Sequence, residues 1–470
     1  MAKFCKNCGA PIEEGAGFCP GCGTAIEAPP ESQPPAFAAP PPAPDNATPP
    51  APAYAAPPPE SQPQYATPPP ESQPQYAPPA SQPQYATPPA KKLPKWLIIV
   101  IIAVAIVVTL GVIGVIAGDA DKTGDSDGGD PATGESTGDG GTSGGNPATG
   151  TGVPERGEFT DYPIVVGEGT EFPLNGMLSI PDGIEGKVPA VVLVQGAGQF
   201  NMDEEVTPNK AFRDIAEYLA SYGIAVIRYD KRNFEHYAKM VETFGGSLTL
   251  EEDVVEDVLL ATELLKADPR IDENRVFIVG HSLGGCIAPR AHAKGAGFAG
   301  IISLAGTPVS PFDLGLEQAL AYIALMPEGE EKEEALAEME YYNAEYYRSY
   351  IMGMSEKEAK DTPYSGFSAY YYQDWENNIP ARHADAIADI PFLILQGTKD
   401  FMVSAELNIP PWQELLAGRD DATFILYEGL NHFFMPFVGG SIEEWEKEFA
   451  TPAHTDEQVL ADIVEWIYSQ

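Results

Sequence analysis

Residues 275–290 read RVFIVGHSLGGCIAPR: an apolar run (Val276–Val279), then Gly280-His281-Ser282-Leu283-Gly284, then an Ala-containing helical stretch. A serine between two glycines one residue away on either side, set between a strand and a helix, is the pattern of a sharp nucleophile turn. Side chains at the glycine positions would clash there, and the serine hydroxyl is left exposed over the sheet edge. Ser282 is therefore the candidate nucleophile; an ordinary Gly-rich turn is the competing reading.

Working outward, strands are expected at Ile164–Val166, Met177–Ile180, Ala190–Val194, Ile224–Arg228, Val276–Val279, Gly300–Leu304, Phe392–Leu395 and Thr423–Tyr427. Helical patterns fall at Phe212–Tyr222, Leu250–Lys266, Leu283–Ala293 and Asp456–Tyr468. Apolar strands alternating with helices imply an α/β fold: a mostly parallel sheet covered on both faces, with an antiparallel start around residues 159–180. Ligands of such sheets bind at the carboxyl ends of the strands.

A serine hydroxyl is a weak nucleophile and needs a base and an orienting acid. The strand in IPFLILQGTKDFMV ends in a loop carrying Asp400, and the strand in ATFILYEGLNHFFM leads into a loop carrying His432. Asp400 is preferred over the nearby Glu406 because it follows its strand directly. A packed loop histidine is the alternative for His432, flanked as it is by Phe433 and Phe434. His281, His292, His236, His383 and His454 have weaker positions. The oxyanion of a tetrahedral intermediate needs backbone donors. Leu283, the residue after the nucleophile, supplies one, and the loop Gln195-Gly196-Ala197-Gly198-Gln199 supplies the other, with Ala197 the first choice and Gly198 the second. A dinucleotide site is disfavoured because this G-x-G lacks a third glycine.

Gln195–Gln199, Asn209-Lys210, IAVIRYDKR, GHSLGG, ILQGTKD and GLNH together resemble the α/β-hydrolase superfamily, above all the secreted dienelactone-hydrolase-like serine esterases. The resemblance spans about residues 160–470 and implies Ser282, Asp400 and His432 as the triad. Members commonly open the oxyanion loop with His-Gly-Ser-Gly-Pro, where this chain has Gln-Gly-Ala-Gly-Gln. The expected activity is hydrolysis of carboxylic esters or other small acyl substrates through an acyl-enzyme, with no catalytic cofactor. Amide or peptide hydrolysis of the prolyl-oligopeptidase type, and a non-catalytic surface binding or sensing protein, are the alternatives. A long insertion, about residues 307–390, is the expected lid, with EGEEKEEALAEMEYYNAEYYRSYIMGMSEKEAK reading as helix and many tyrosines that serve either as lid core or as site wall. Cys286 is expected to be packing, and Lys231-Arg232 to pair with carboxylates.

The rest of the chain divides by composition. Residues 1–26 hold Cys5-x2-Cys8 and Cys19-x2-Cys22, two knuckles each followed by glycine. Four thiolates so arranged suit a structural Zn²⁺, and the segment resembles the bacterial zinc ribbons. Redox C-x-x-C chemistry or disulfides are the other readings; disulfides are disfavoured on a reducing side of a membrane, and a redox site would usually show one C-x-x-C on a larger fold. Residues 27–95 are a Pro-rich linker with repeats of ESQPQYA. Such a composition buries too little apolar surface to fold. Residues 96–117 (WLIIVIIAVAIVVTLGVIGVIA) carry no charge; at about 1.5 Å per residue they would cross a hydrocarbon core of about 30 Å. Lys91, Lys92 and Lys95 precede this stretch and Asp119, Asp121, Asp125, Asp127 and Asp130 follow it. The expectation is a single-pass cell-membrane anchor with the ribbon, and a protein partner for it, in the cytoplasm and the hydrolase domain outside. Residues 118–152 are a Gly/Asp/Ser/Thr-rich tether, and residues 153–470 are the globular domain. With 27 Lys+Arg against 69 Asp+Glu, a net charge of −42, a polyanion would be repelled, which excludes nucleic acid as the main partner.

Overall fold

The computed structural model describes residues 3–4, 11–12, 153–206, 208–437 and 449–470. Near the N-terminus, Lys3–Phe4 pairs antiparallel with Pro11–Ile12. The connection between them contains Cys5 and Cys8; all four cysteines of the expected zinc site lie outside the described residues. So do the linker, the 96–117 stretch and the tether. Among the described residues no helix is long and apolar enough to cross a membrane.

The eight strands expected from sequence form a single sheet. They are β1 (Phe159–Val166), β2 (Leu174–Pro181), β3 (Val188–Val194), β4 (Ala225–Tyr229), β5 (Ile271–His281), β6 (Ile301–Leu304), β7 (Phe392–Gly397) and β8 (Ala422–Tyr427). Their order is β1-β2-β4-β3-β5-β6-β7-β8. β1 pairs antiparallel with β2 and β2 with β4, while β3 to β8 run parallel.

Why the central strands read as unbroken apolar runs follows from the packing. Ala190, Val192 and Val194 of β3, Val276 and Ile278 of β5, and Phe392 and Ile394 of β7 enter one core. The residues between them, Val191, Leu193, Phe277, Val279, Leu393 and Leu395, enter the core on the opposite face. The period-two alternation sends successive side chains to two buried faces, so neither face needs polar residues. The second core is closed by α1 (Ala211–Ser221) and the C-terminal helix, through Phe212, Ile215 and Leu219 and through Val459, Ile463 and Ile467. The first core is closed by α2 (Glu256–Ala267), the elbow helix α3 (Leu283–Ala291) and part of the insertion.

The insertion lies between β6 and β7, as expected, but its acidic, Tyr-rich stretch is not one helix. After α4 (Pro311–Ala324) it breaks into α5 (Glu330–Tyr341), α6 (Ala344–Met352) and α7 (Glu356–Asp361). Asn343 and Ser355 cause the breaks: each turns its side chain onto a backbone N–H at the start of the next helix, and Ser355 completes a capping box with Glu358. The next helix, α8 (Ala369–Asn377), buries Tyr371, Tyr372 and Trp375 in the first core, whereas Tyr341 and Tyr350 are exposed. The tyrosines thus divide between the core and the surface of the insertion.

Candidate active site

The carboxyl ends of the parallel strands gather five loops: residues 195–199 after β3, 230–232 after β4, the turn at Ser282 after β5, 398–403 after β7 and 428–437 after β8. Every residue proposed from sequence as catalytic sits on this edge.

Ser282 occupies the turn between β5 and α3 with φ 52° and ψ −114°. A non-Gly residue held there costs on the order of 1–3 kcal/mol, which the surrounding fold must supply. Ser282 N donates to Leu304 O at 2.9 Å, tying the turn to β6. The glycines are required as anticipated: a Cβ on Gly280 would overlap the Gly284 backbone, and one on Gly284 would overlap the Val194 carbonyl. Ser282 itself is half-buried, whereas Leu283 behind it is buried.

Asp400 and His432 meet directly, with His432 Nδ1 donating to Asp400 Oδ2 at 2.7 Å. Asp400 is held by three further donors: Gln396 Nε2 on Oδ2 at 2.8 Å, and the N–H groups of Met402 and Val403 on Oδ1 at 2.8 and 2.9 Å. A carboxylate so engaged accepts only, so the His432 ring carries its proton on Nδ1 and leaves Nε2 free to accept. Both residues are buried, 5% and 2% exposed, which shields the pair from competing water. The insertion fastens onto this loop: Glu317 of α4 accepts from Ser404 N at 3.0 Å, and Gln318 donates to Met402 O at 3.0 Å.

The oxyanion loop packs against the nucleophile, since a Cβ on Gly196 would come 3.1 Å from Ser282 Cβ. Gly196 N donates to Glu204 Oε1 at 2.8 Å. That N–H is therefore committed within the fold, and the N–H groups of Ala197 and Gly198 follow it in the loop. Gln195, which stands where the resembling esterases have histidine, is buried and donates through Nε2 to the Tyr229 carbonyl at the end of β4.

Sequence reasoning missed Glu204 and gave His281 no role. Glu204 is 1% exposed and adopts φ 46°. Its Oε1 lies 2.9 Å from His281 Nδ1, and His281 Nε2 donates to the His432 carbonyl at 3.0 Å. The pair thus braces the oxyanion loop, the nucleophile turn and the His432 loop together. Burial alone would push His281 below its ordinary pKa, but the Glu204 carboxylate and the accepting His432 carbonyl push it above. The only signal in sequence is the carboxylate run Asp203-Glu204-Glu205, three residues beyond the oxyanion loop.

Other sites fall as expected. Arg232 pairs with Asp257 through Nε at 3.1 Å and with Glu256 through Nη1 at 2.8 Å. Cys286 is buried, and burial pushes its thiol up to about 12, so it is packing and not a nucleophile.

Residues 191–450 match the sequence profile of the Alpha/beta hydrolase family. The chain belongs to the α/β hydrolase family. A zinc-ribbon domain profile matches residues 4–26. Esterase EstD of Thermotoga maritima is 33% identical over 295 residues, 63% of this chain and 65% of its own length, so the chain spans about two thirds of that relative. Among solved structures, a dienelactone-hydrolase-like promiscuous phosphotriesterase from metagenomic libraries aligns with 15% identity and a TM-score of 0.38, covering 67% of this chain and 98% of its own. Est1E from Butyrivibrio proteoclasticus aligns with 15% identity and a TM-score of 0.38, covering 65% and 96%.

Proposed function

We propose that this α/β hydrolase cleaves carboxylic esters through an acyl-enzyme on Ser282. The observation that carries the reading is the buried Asp400–His432 hydrogen bond on the same sheet edge as the strained Ser282 turn. The 33% identical relative is named an esterase, which supports esters over other acyl compounds.

In this mechanism Ser282 Oγ attacks the ester carbonyl while His432 Nε2 takes its proton. Asp400 holds the ring in the accepting tautomer and stabilises the imidazolium that forms. The N–H groups of Leu283 and Ala197 receive the charge on the former carbonyl oxygen. As the tetrahedral intermediate collapses, the carbon–oxygen bond to the alcohol breaks and His432 returns the proton to it. Water, deprotonated by His432, then attacks the acyl-Ser282 ester, and Ser282 leaves as the free hydroxyl.

Cys5, Cys8, Cys19 and Cys22 would hold one Zn²⁺. The zinc-ribbon profile over residues 4–26 supports this, and so does the antiparallel pairing of Lys3–Phe4 with Pro11–Ile12. A four-thiolate set is a closed structural site that stabilises the ribbon and takes no part in hydrolysis. The 96–117 stretch is proposed to anchor the chain in the cell membrane with the ribbon inside and the hydrolase outside. Protease protection of either terminus in intact cells tests that orientation.

The test of the activity is a panel of short and long acyl p-nitrophenyl esters beside aminoacyl p-nitroanilides, with wild type and Ser282→Ala. Ester turnover that the variant loses supports the reading. Preferential anilide cleavage would replace it with a peptidase or amidase, and no turnover of either kind would favour a binding role.

A further inference from the structure

The oxyanion loop is gripped at a second point by a buried cation. Lys231, 3% exposed, donates from Nζ to the Gly196 carbonyl at 2.9 Å. Its nearest carboxylate among the described residues is Asp253, at 3.8 Å. Asp253 is itself occupied, accepting from Tyr371 of α8 at 2.9 Å and from Asn233 at 3.0 Å. The ammonium therefore makes its close contact with a backbone carbonyl and only a looser one with its counter-charge. Burying an ammonium costs several kcal/mol, and a methionine would fill the same volume without that cost. Packing alone does not call for a lysine here.

The carbonyl it chooses is the informative part. Gly196 C=O and Ala197 N–H belong to one planar peptide unit, and in a trans unit they point in opposite directions. A donor fixed on the oxygen fixes the direction of the N–H. A charged donor does more, since it withdraws electron density from the carbonyl and strengthens the N–H as a donor on the far edge. The preceding peptide is fixed in the same way by the buried Glu204, which takes Gly196 N–H. Two successive peptide units of the loop are thus each held by a buried charge, an anion on the first N–H and a cation on the next C=O.

We propose that Lys231 is a positioning residue for the oxyanion hole, aligning and polarising the Ala197 N–H through the Gly196 carbonyl without touching substrate. The proposal rests on the hydrolase reading above and on Ala197 as the second donor. It assigns to Lys231 a share of transition-state stabilisation and no share of ground-state binding. The grip also links the oxyanion loop to the insertion, through Asp253 and Tyr371.

The test uses the full chain and its Lys231→Met variant. It measures kcat and KM on p-nitrophenyl butyrate, and Ki for a trifluoromethyl ketone to which the nucleophilic serine adds to give an oxyanion. Lys357→Met, a change at an exposed surface ion pair, serves as the control. Losing part of one oxyanion donor is expected to lower kcat about 10–100-fold with KM within about threefold, and to raise the ketone Ki by the same factor. If Lys231→Met does not fold, Lys231→Gln, which keeps a neutral donor, is expected to show about a tenfold loss in both quantities. A folded Lys231 variant with kcat and Ki unchanged, or with the loss confined to KM, overturns the proposal and leaves the hydrolase reading intact. A wild-type chain that neither hydrolyses the ester nor binds the ketone overturns both.

Discussion

Replacing Asp400 by Asn changes one oxygen to an NH₂ group, and the surrounding hydrogen bonds decide where that group must point. Oδ1 faces two backbone donors, the N–H groups of Met402 and Val403 at 2.8 and 2.9 Å, so this position has to stay oxygen. The new nitrogen therefore takes the Oδ2 position, facing His432 Nδ1 at 2.7 Å and Gln396 Nε2 at 2.8 Å. Gln396 cannot turn its amide to receive it, because its Nε2 also donates to Val403 O at 2.9 Å and a flipped oxygen would face that carbonyl. His432 must then accept through Nδ1, which moves its proton to Nε2, the atom required to accept from Ser282. In serine-protease triads this wrong tautomer costs about 10⁴ in kcat, and at about 1.36 kcal/mol per tenfold that is about 5.5 kcal/mol of barrier. The loss of folding stability is smaller, about 1–3 kcal/mol for one hydrogen bond to a charged group, so the variant stays folded. The assay is kcat on p-nitrophenyl butyrate beside thermal unfolding. A folded Asp400→Asn protein within tenfold of wild type would refute the assigned role.

Gly284→Ala places a methyl group against the Val194 carbonyl and 3.1 Å from the Gln195 carbonyl, so α3 cannot dock on β3; overpacking of this kind costs about 1–3 kcal/mol or more, read from the denaturant midpoint, and an unchanged midpoint would contradict the packing. The pKa of His281 is raised in the folded state, so the stability it contributes is complete below its unfolded value of about 6.5 and is lost as pH rises through the folded value. The unfolding temperature of wild type is accordingly expected to fall on the alkaline side, and His281→Gln to flatten that slope in scans from pH 6 to 9. One Zn²⁺ per chain is expected on release by acid and titration with a metallochromic dye, with Cys8→Ser lowering the content and leaving ester turnover unchanged.

How much of this was legible in the sequence depended on how local the signal was. The central strands could be found because each buries both faces, leaving apolar runs bounded by polar turns, whereas the edge strands β1 and β8 are only partly buried. Ser282, Asp400 and His432 were legible because each lies in the turn or loop that follows its strand, so a reading of strand ends finds the site edge. Glu204 was not: its burial depends on Gly196 N–H, eight residues away, and on His281, 77 residues away. In sequence it is one of three adjacent carboxylates, with nothing local to single it out. Lys231 was read as an ion-pair partner of some carboxylate, and it does reach Asp253 at 3.8 Å, but its closer contact, at 2.9 Å, is a backbone carbonyl that no side-chain pattern announces. The helix Ala405–Leu415 went unread because Pro410 and Pro411 signal a break. It persists around them with Trp412 fully buried and donating through Nε1 to the Gly306 carbonyl at 2.8 Å. The single lid helix failed for a related reason: the acidic, Tyr-rich composition favours helix throughout, and only the caps at Asn343 and Ser355 mark the interruptions.

The central claim, that Ser282 is the nucleophile activated by His432, is tested most directly by covalent labelling of the full-length chain with a fluorophosphonate, read by intact mass and peptide mapping. One adduct per chain on the peptide carrying Ser282 is expected, absent in Ser282→Ala and slowed at least about 10³-fold in His432→Ala. A folded wild-type protein that takes no label, or takes it on another residue, would contradict the account.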